Sequence, residues 1–210
     1  MSLATALLTG CVSTNIEQAR QTSTQIGEHD TIVILGRTDH TDKEAEKSFT
    51  RCIERSLVGG QHPLQLVPAD QFIDEMFPWF EPRLAPTSTV SLSKLLAKPG
   101  VSEQIAKNNV HYIVWIDGNT ETTDQGGGLS CAIGPGGGGC LGLTWWERES
   151  SYEASIWDVE NVNVAGSIST DTTGKSYIAG VILPIPLIAR TSAAACRSLA
   201  QQLKSFIIDE

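Results

Sequence analysis

The chain has 210 residues, a formal net charge of −9 and an isoelectric point near 4.9. This length suffices for one ordinary domain with a hydrophobic core. Nucleic-acid binding depends on contacts from Lys and Arg to phosphates. No basic cluster offsets the acidic total, so we expect no nucleic-acid partner. No apolar run approaches the roughly 20 residues that a membrane-spanning helix requires.

The amino-terminal segment ends in Leu7, Leu8, Thr9, Gly10 and Cys11. This run resembles the lipobox of bacterial lipoproteins, in which the segment before the cysteine is removed and the cysteine becomes a lipidated amino terminus. The resemblance implies a truncated signal segment over residues 1–11, lipidation at Cys11, and anchoring on the periplasmic face of the outer membrane. The alternative is a chance match within a buried amino-terminal helix.

The next segment, residues 12–30, is rich in Ser, Thr and Gln and poor in apolar residues. This composition predicts a flexible tether. A single domain is then expected over residues 31–208. It opens with a strand at 31–36 and a helix at 41–58, where Thr41 and Glu44 have the spacing of a capping box. Further elements are a strand at 64–67 and helices at 69–77, 88–97 and 102–108.

The second half of the domain changes from alternating helices and strands to a meander. Residues 110–117 are apolar on both faces, which predicts a central strand. Later strands are expected at 144–146, 152–159, 162–170 and 177–183, and a closing helix runs from Thr191 or Ser192 to residue 207. The order β-α-β-α-β-meander-α predicts an α+β fold, with a mixed, mainly antiparallel sheet and helices packed mostly on one face.

Three segments carry a likeness to known envelope proteins: residues 31–35, 109–115 and 152–159. Together with the Ala-rich closing helix, they resemble a group of bacterial envelope lipoprotein domains. The group includes the curli secretion-channel lipoprotein, the lipoprotein activators of penicillin-binding proteins, and the amino-terminal domain of the Tol-Pal translocation protein. The resemblance implies an envelope domain that acts through protein partners. The Gly-rich insert and the segment around Pro184 and Pro186 depart from it.

Four cysteines remain once Cys11 is assigned to the lipid: Cys52, Cys131, Cys140 and Cys196. They form no Cys-x-x-Cys pair and no zinc-ligand spacing with His, so we expect no metal site. Cys131 and Cys140 flank a Gly-rich loop that can bring its ends together. The other two cysteines each fall on the apolar stripe of a predicted helix. We therefore expect two disulfides, Cys131–Cys140 and Cys52–Cys196, with four free thiols as the alternative.

Glycine runs at residues 126–128 and 136–139 predict a hairpin insert over residues 124–144. A phosphate-binding loop needs a helix amino terminus after it, and a strand is predicted here instead. Trp145 and Trp146 follow the insert. Adjacent strand residues point to opposite faces, so one of these side chains is expected to face outward and to be a candidate partner-binding residue.

No catalytic motif is present in the sequence. The four histidines are scattered over different elements, and no nucleophile elbow occurs. Asp117, Glu121 and Asp124 follow the central strand and offer the carboxylates for an alternative function, a periplasmic hydrolase. The leading prediction is a non-enzymatic, lipid-anchored envelope domain without a cofactor, which binds envelope proteins or associates with itself.

Overall fold

The computed structural model describes residues 11–37, 47–77, 86–180 and 184–208. Within these residues the strands are β1 (Val12–Arg20), β2 (Thr31–Gly36), β3 (Leu66–Val67), β4 (Val110–Gly134), β5 (Gly137–Asp158), β6 (Asn163–Gly180) and β7 (Pro184–Leu187). The helices are α1 (Lys47–Val58), α2 (Ala69–Met76), α3 (Thr89–Leu96), α4 (Val101–Lys107) and α5 (Thr191–Ile208). The lipobox residues before Cys11 and the predicted capping box of Thr41 and Glu44 lie outside the described residues.

All of these strands belong to one sheet, in the order β1-β6-β5-β4-β2-β3, with β7 also paired to β6. Strand β2 runs parallel to β3 and β4, whereas the other neighbouring strands are antiparallel. The chain therefore has the predicted α+β class with a mixed, mainly antiparallel sheet.

The helices cover both faces of this sheet. On one face, α1 and α5 enclose Ile32, Ile34 and Tyr112; we call it the α1/α5 face. On the other, α2, α3 and α4 enclose Val33 and Trp115; we call it the α2–α4 face. The prediction of helices mostly on one face was wrong. Strands β2 and β4 carry buried apolar side chains on both faces, and each face needs a cover.

The predicted tether over residues 12–30 is instead attached to the domain. Residues 12–20 form β1, which pairs with β6 from Val12↔Gly174 to Arg20↔Gly166. Farther along, the buried Thr24 hydroxyl donates to the Phe206 carbonyl. Polar composition led to the wrong expectation. An edge strand is held by backbone hydrogen bonds, and residues with polar side chains make these bonds as well as apolar residues do.

The later strands are longer than predicted. The polar stretch 171–174 falls between the strands predicted at 162–170 and 177–183. It lies inside β6 and pairs on both sides, with β1 and with β5. Thr170, Thr172 and Ser176 are buried there. Because this polar stretch pairs with a strand on each side, it continues as a strand. The predicted insert at 124–144 contains the β4–β5 turn.

Both predicted disulfides are confirmed. Cys52–Cys196 joins α1 to α5 with a Cα separation of 6.3 Å. Cys131–Cys140 joins directly opposite residues of β4 and β5 with a Cα separation of 4.0 Å. The first bridge spans 144 residues of sequence. In the chain-entropy picture, closing so long a loop stabilises the fold by about 5 kcal/mol.

Gly118 sits where β4 leaves the core, and it allows the close approach of β5. Its φ is +127°, and a Cβ atom there would lie 2.1 Å from the Ser151 carbonyl oxygen. Only glycine adopts this backbone conformation without strain. The position therefore controls how β4 and β5 continue together beyond the core.

We expect Gly118→Ala to lower the free energy of unfolding by about 3–5 kcal/mol, through backbone strain and a forced separation of the strands. Gly128→Ala is the matched control in the same strand, because nothing lies within 4 Å of its Cβ position. That control should change stability by less than about 0.5 kcal/mol. Urea unfolding followed by circular dichroism measures both, and equal stabilities would contradict the assignment.

Candidate functional site

The most prominent feature of the molecule is the hairpin formed by β4 and β5. The two strands pair from Tyr112↔Asp158 to Gly134↔Gly137, with one irregularity between Thr122 and Asp124. Strand β2 accompanies β4 only as far as Ile116. The remaining residues of β4, 117–134, can extend for about 60 Å. Along that length, β4 has β5 as its only strand neighbour among the described residues.

The end of this hairpin projects beyond the rest of the sheet. Pairing of β5 with β6 ends at Gly142↔Gly180, and we call residues 129–142 the hairpin tip. Ile133 is 94% exposed and Leu141 is 73% exposed. No charged residue occurs between Gln125 and Glu147. The Cys131–Cys140 bridge thus closes an uncharged tip with two large apolar side chains in solvent.

The two tryptophans lie at the base of the tip, on opposite faces of β5. Trp145 is half-buried, pairs across the strand with Gly126, and its ring lies 5.6 Å from the Lys175 ammonium. Trp146 is also half-buried and pairs with Gln125. The most exposed large apolar side chains of the hairpin are therefore farther out, at positions 133 and 141. Sequence reasoning missed them, although the uncharged run around the cysteine pair was a usable signal.

The three predicted carboxylates lie in a row along β4, and each faces another carboxylate on β5. The directly opposite pairs are Asp117↔Glu153, Glu121↔Glu149 and Asp124↔Glu147. We call these six residues the carboxylate strip. All six are on the α2–α4 face. Five of them lie an even number of residues from Trp115 or Trp157 and so point to the same face as these tryptophans. Asp124 shares this face because the irregularity in β4 places it directly opposite Glu147.

One end of the strip borders a cavity. Asp117, Glu153 and Asp171 line a space of about 260 Å³, whereas Glu121 and Asp124 are outside its lining. The guanidinium of Arg37 lies 3.4 Å from Asp117, and the Lys175 ammonium lies 3.2 Å from Glu147. The predicted acids are thus spread along a strand instead of meeting at one centre. The hydrolase alternative stays a prediction.

A separate cavity of about 500 Å³ lies at the opposite end of β4, beside His111. The His111 Nδ1–H donates to Asp30 at 2.8 Å, and Nε2 lies 3.6 Å from both Asp158 and Glu160. Nε2 has no hydrogen-bond partner within the described structure. Val162 lines this cavity with a φ of +52°. This conformation is strained for a β-branched residue.

The pKa of Asp30 reflects two opposing effects. Burial disfavours its charged form, but hydrogen bonds from His111 and from the Gly27 amide outweigh burial and lower the pKa. The charged Asp30 thereby fastens the segment before β2 to β4. Sequence reasoning noted His111 only as one of four scattered histidines and did not find this contact.

Cys11 is exposed and unpaired at the start of β1. Its neighbour Val12 pairs with Gly174, which in turn pairs with Arg148. Cys11 therefore lies at the end of the sheet from which the hairpin projects. Across the described residues, no helix is long and apolar enough to span a membrane. Nor do three or more His, Cys, Asp or Glu side chains come together there to hold a metal ion.

We expect Asp30→Asn to lower the free energy of unfolding by about 1 kcal/mol at pH 7. Because folding lowers the pKa of Asp30, its contribution is present above the unfolded pKa of about 4 and is lost as pH falls through the folded value. Thermal unfolding between about pH 2.5 and 7 should show the two proteins converge in acid. Glu28→Gln is the control and should match the wild type throughout, and a constant difference for Asp30→Asn would contradict the interpretation.

Comparison with known proteins adds only distant likenesses. No family model and no curated protein sequence matches the chain. Among solved structures, a single-substitution variant of the PelC dodecamer from Paraburkholderia phytofirmans is 12% identical and covers 94% of this chain and 100% of its own, with a TM-score of 0.43. A second PelC dodecamer from the same organism is 14% identical. The match covers 93% of this chain and 97% of that one, with a TM-score of 0.41. The hypothetical protein CT253 from Chlamydia trachomatis is 11% identical. The match covers 86% of this chain and 99% of that one, with a TM-score of 0.36.

Proposed function

We propose that this chain is a lipid-anchored domain of the bacterial cell envelope that binds protein partners, or further copies of itself, through its extended hairpin. The observation that carries the proposal is the exposed apolar tip, with Ile133 at 94% and Leu141 at 73% exposure. Exposed apolar side chains grouped on a projecting element are typical of interaction sites.

The lipid anchor is supported by the residues around Cys11 and by its place in the fold. The lipobox-like run ends at this residue, and the side chain is exposed and free of a disulfide. The other four cysteines are paired, which suits an oxidising compartment such as the periplasm. Since Cys11 and the hairpin occupy the same end of the sheet, partner binding would take place close to the membrane.

The hairpin is suited to binding because backbone pairing and a disulfide hold its two arms together. Beyond Gly142, each arm is held by the other arm and by the Cys131–Cys140 bridge. A preorganised binding element loses little conformational entropy when a partner binds. The tip can therefore present Ile133 and Leu141 in a fixed geometry.

Lipidation predicts a specific change in mass. When the full native gene is expressed in a bacterial host, protein extracted from the membrane should begin at Cys11 and carry a diacyl or triacyl addition. Intact-mass analysis with peptide mapping measures this directly. The Cys11→Ser variant should lack the addition, and an unmodified wild-type product that begins at Met1 would refute the anchor.

The binding role predicts that the tip is needed for capture. The double variant Ile133→Asp/Leu141→Asp should reduce capture of the wild type's principal crosslinked partner, whether an envelope protein or another copy, by at least about tenfold. Val90→Asp is the matched control, because Val90 is 62% exposed on α3, and it should capture as the wild type does. Equal capture by the tip variant would refute this role.

A further inference from the structure

The carboxylate strip is unfavourable in the isolated chain. Like charges directly opposite each other across antiparallel strands destabilise a sheet, and the strip holds three such pairs in succession. Arg37 and Lys175 neutralise two positions near its ends. The central pair, Glu121 and Glu149, has no cationic partner in the part of the chain that the structure describes. A positively charged surface laid over the strip would relieve this repulsion.

The α1/α5 face carries the opposite charge. Within their described bounds the two helices contain five cations, Lys47, Arg51, Arg55, Arg197 and Lys204, against the single carboxylate Glu54. Neither helix has an acidic residue in its first turn. The amino terminus of α5 adds the positive end of an 18-residue helix.

Two further arginines extend this charge toward the hairpin. Arg148 and Arg190 line a cavity of about 340 Å³ at the start of α5, together with Ser192. Both arginines are exposed. A carboxylate that entered this cavity would meet two guanidinium groups and the helix terminus. We call Arg148, Arg190, Arg51, Arg55 and Arg197 the basic face.

The strip and the Arg148 and Arg190 end of the basic face lie at the same height on opposite sides of one sheet. Arg148 is adjacent in sequence to Glu149 and Glu147, and adjacent strand residues point to opposite faces. The Ser150 hydroxyl donates to Thr191, which places the start of α5 on the Arg148 side at this height. If a second copy is shifted perpendicular to the plane of the sheet, its basic side therefore meets the acidic side of the first copy.

We propose that the partner of the carboxylate strip is a second copy of this chain, which docks its basic face onto the strip. The inference rests on the proposed binding role of the hairpin and names one partner for it. The two surfaces differ, so the contact is heterologous, and repetition produces a ring or a filament with hairpins pointing the same way. Because exposed charges form the contact, added salt weakens it.

Sedimentation velocity on the full chain carrying Cys11→Ala tests this without a lipid. We expect concentration-dependent association in about 50 mM salt that weakens at least about tenfold in about 500 mM. Glu121→Lys/Glu149→Lys reverses the strip, and Arg148→Glu/Arg190→Glu reverses the basic face. Each double variant alone should remain monomeric. An equimolar mixture should associate again, because each reversed surface then finds its complement.

The proposal would be overturned by a wild type that stays monomeric in low salt, by double variants that still associate, or by a mixture that fails to recover. Association that is insensitive to salt and lost with Ile133→Asp would assign the contact to the tip instead and would also overturn it. Glu103→Lys, on the exposed surface of α4, is the control and should associate as the wild type does. If the sedimentation results overturn this contact, the predictions of lipidation at Cys11 and of capture through the tip still stand and are tested separately.

Discussion

The continuous pairing of β4 with β5 is the constraint on which the rest of this structure depends. At its base, both strands are held between two hydrophobic cores, and Tyr152 stacks on Phe49 of α1. Neither of these two cores includes a described residue of the tip, where the same ladder of backbone hydrogen bonds holds the two strands together. The cores fix the direction in which the hairpin points. Backbone pairing continues in that direction as far as Ile133 and Leu141, and it does not depend on burial of apolar side chains along the hairpin.

This division separates the part of the fold that provides stability from the hairpin that we propose binds partners. The two cores and the Cys52–Cys196 bridge stabilise the fold at one end of the sheet, so the hairpin can tolerate features that would weaken a small domain. Exposed apolar side chains, opposed carboxylates and a long open strand edge each carry a cost in an isolated chain. Their occurrence on one hairpin supports the proposal that another molecule covers this surface.

The sequence allowed the elements with strong local signals to be predicted. The apolar strand at 110–117, the closing helix and both disulfides follow from periodicity and cysteine placement. The strand at 12–20 could not be predicted in this way, because its partner segment, residues 166–174, is remote in sequence and its own side chains are exposed. The carboxylate strip also escaped prediction. Asp117, Glu121 and Asp124 are visible in the sequence, but their opposition to Glu153, Glu149 and Glu147 depends on a strand register that includes a bulge.

Small-angle scattering of the monomer, separated by size-exclusion chromatography, tests most directly whether a rigid hairpin projects from the domain. A compact chain of 210 residues would have a radius of gyration of about 17 Å. With the hairpin extended, we expect more than about 20 Å and a maximum dimension of at least about 75 Å, because paired strands rise about 3.3 Å per residue. Replacing residues 129–142 with Asn-Gly should shorten the maximum dimension. A radius near the compact value that this replacement leaves unchanged would contradict a projecting hairpin.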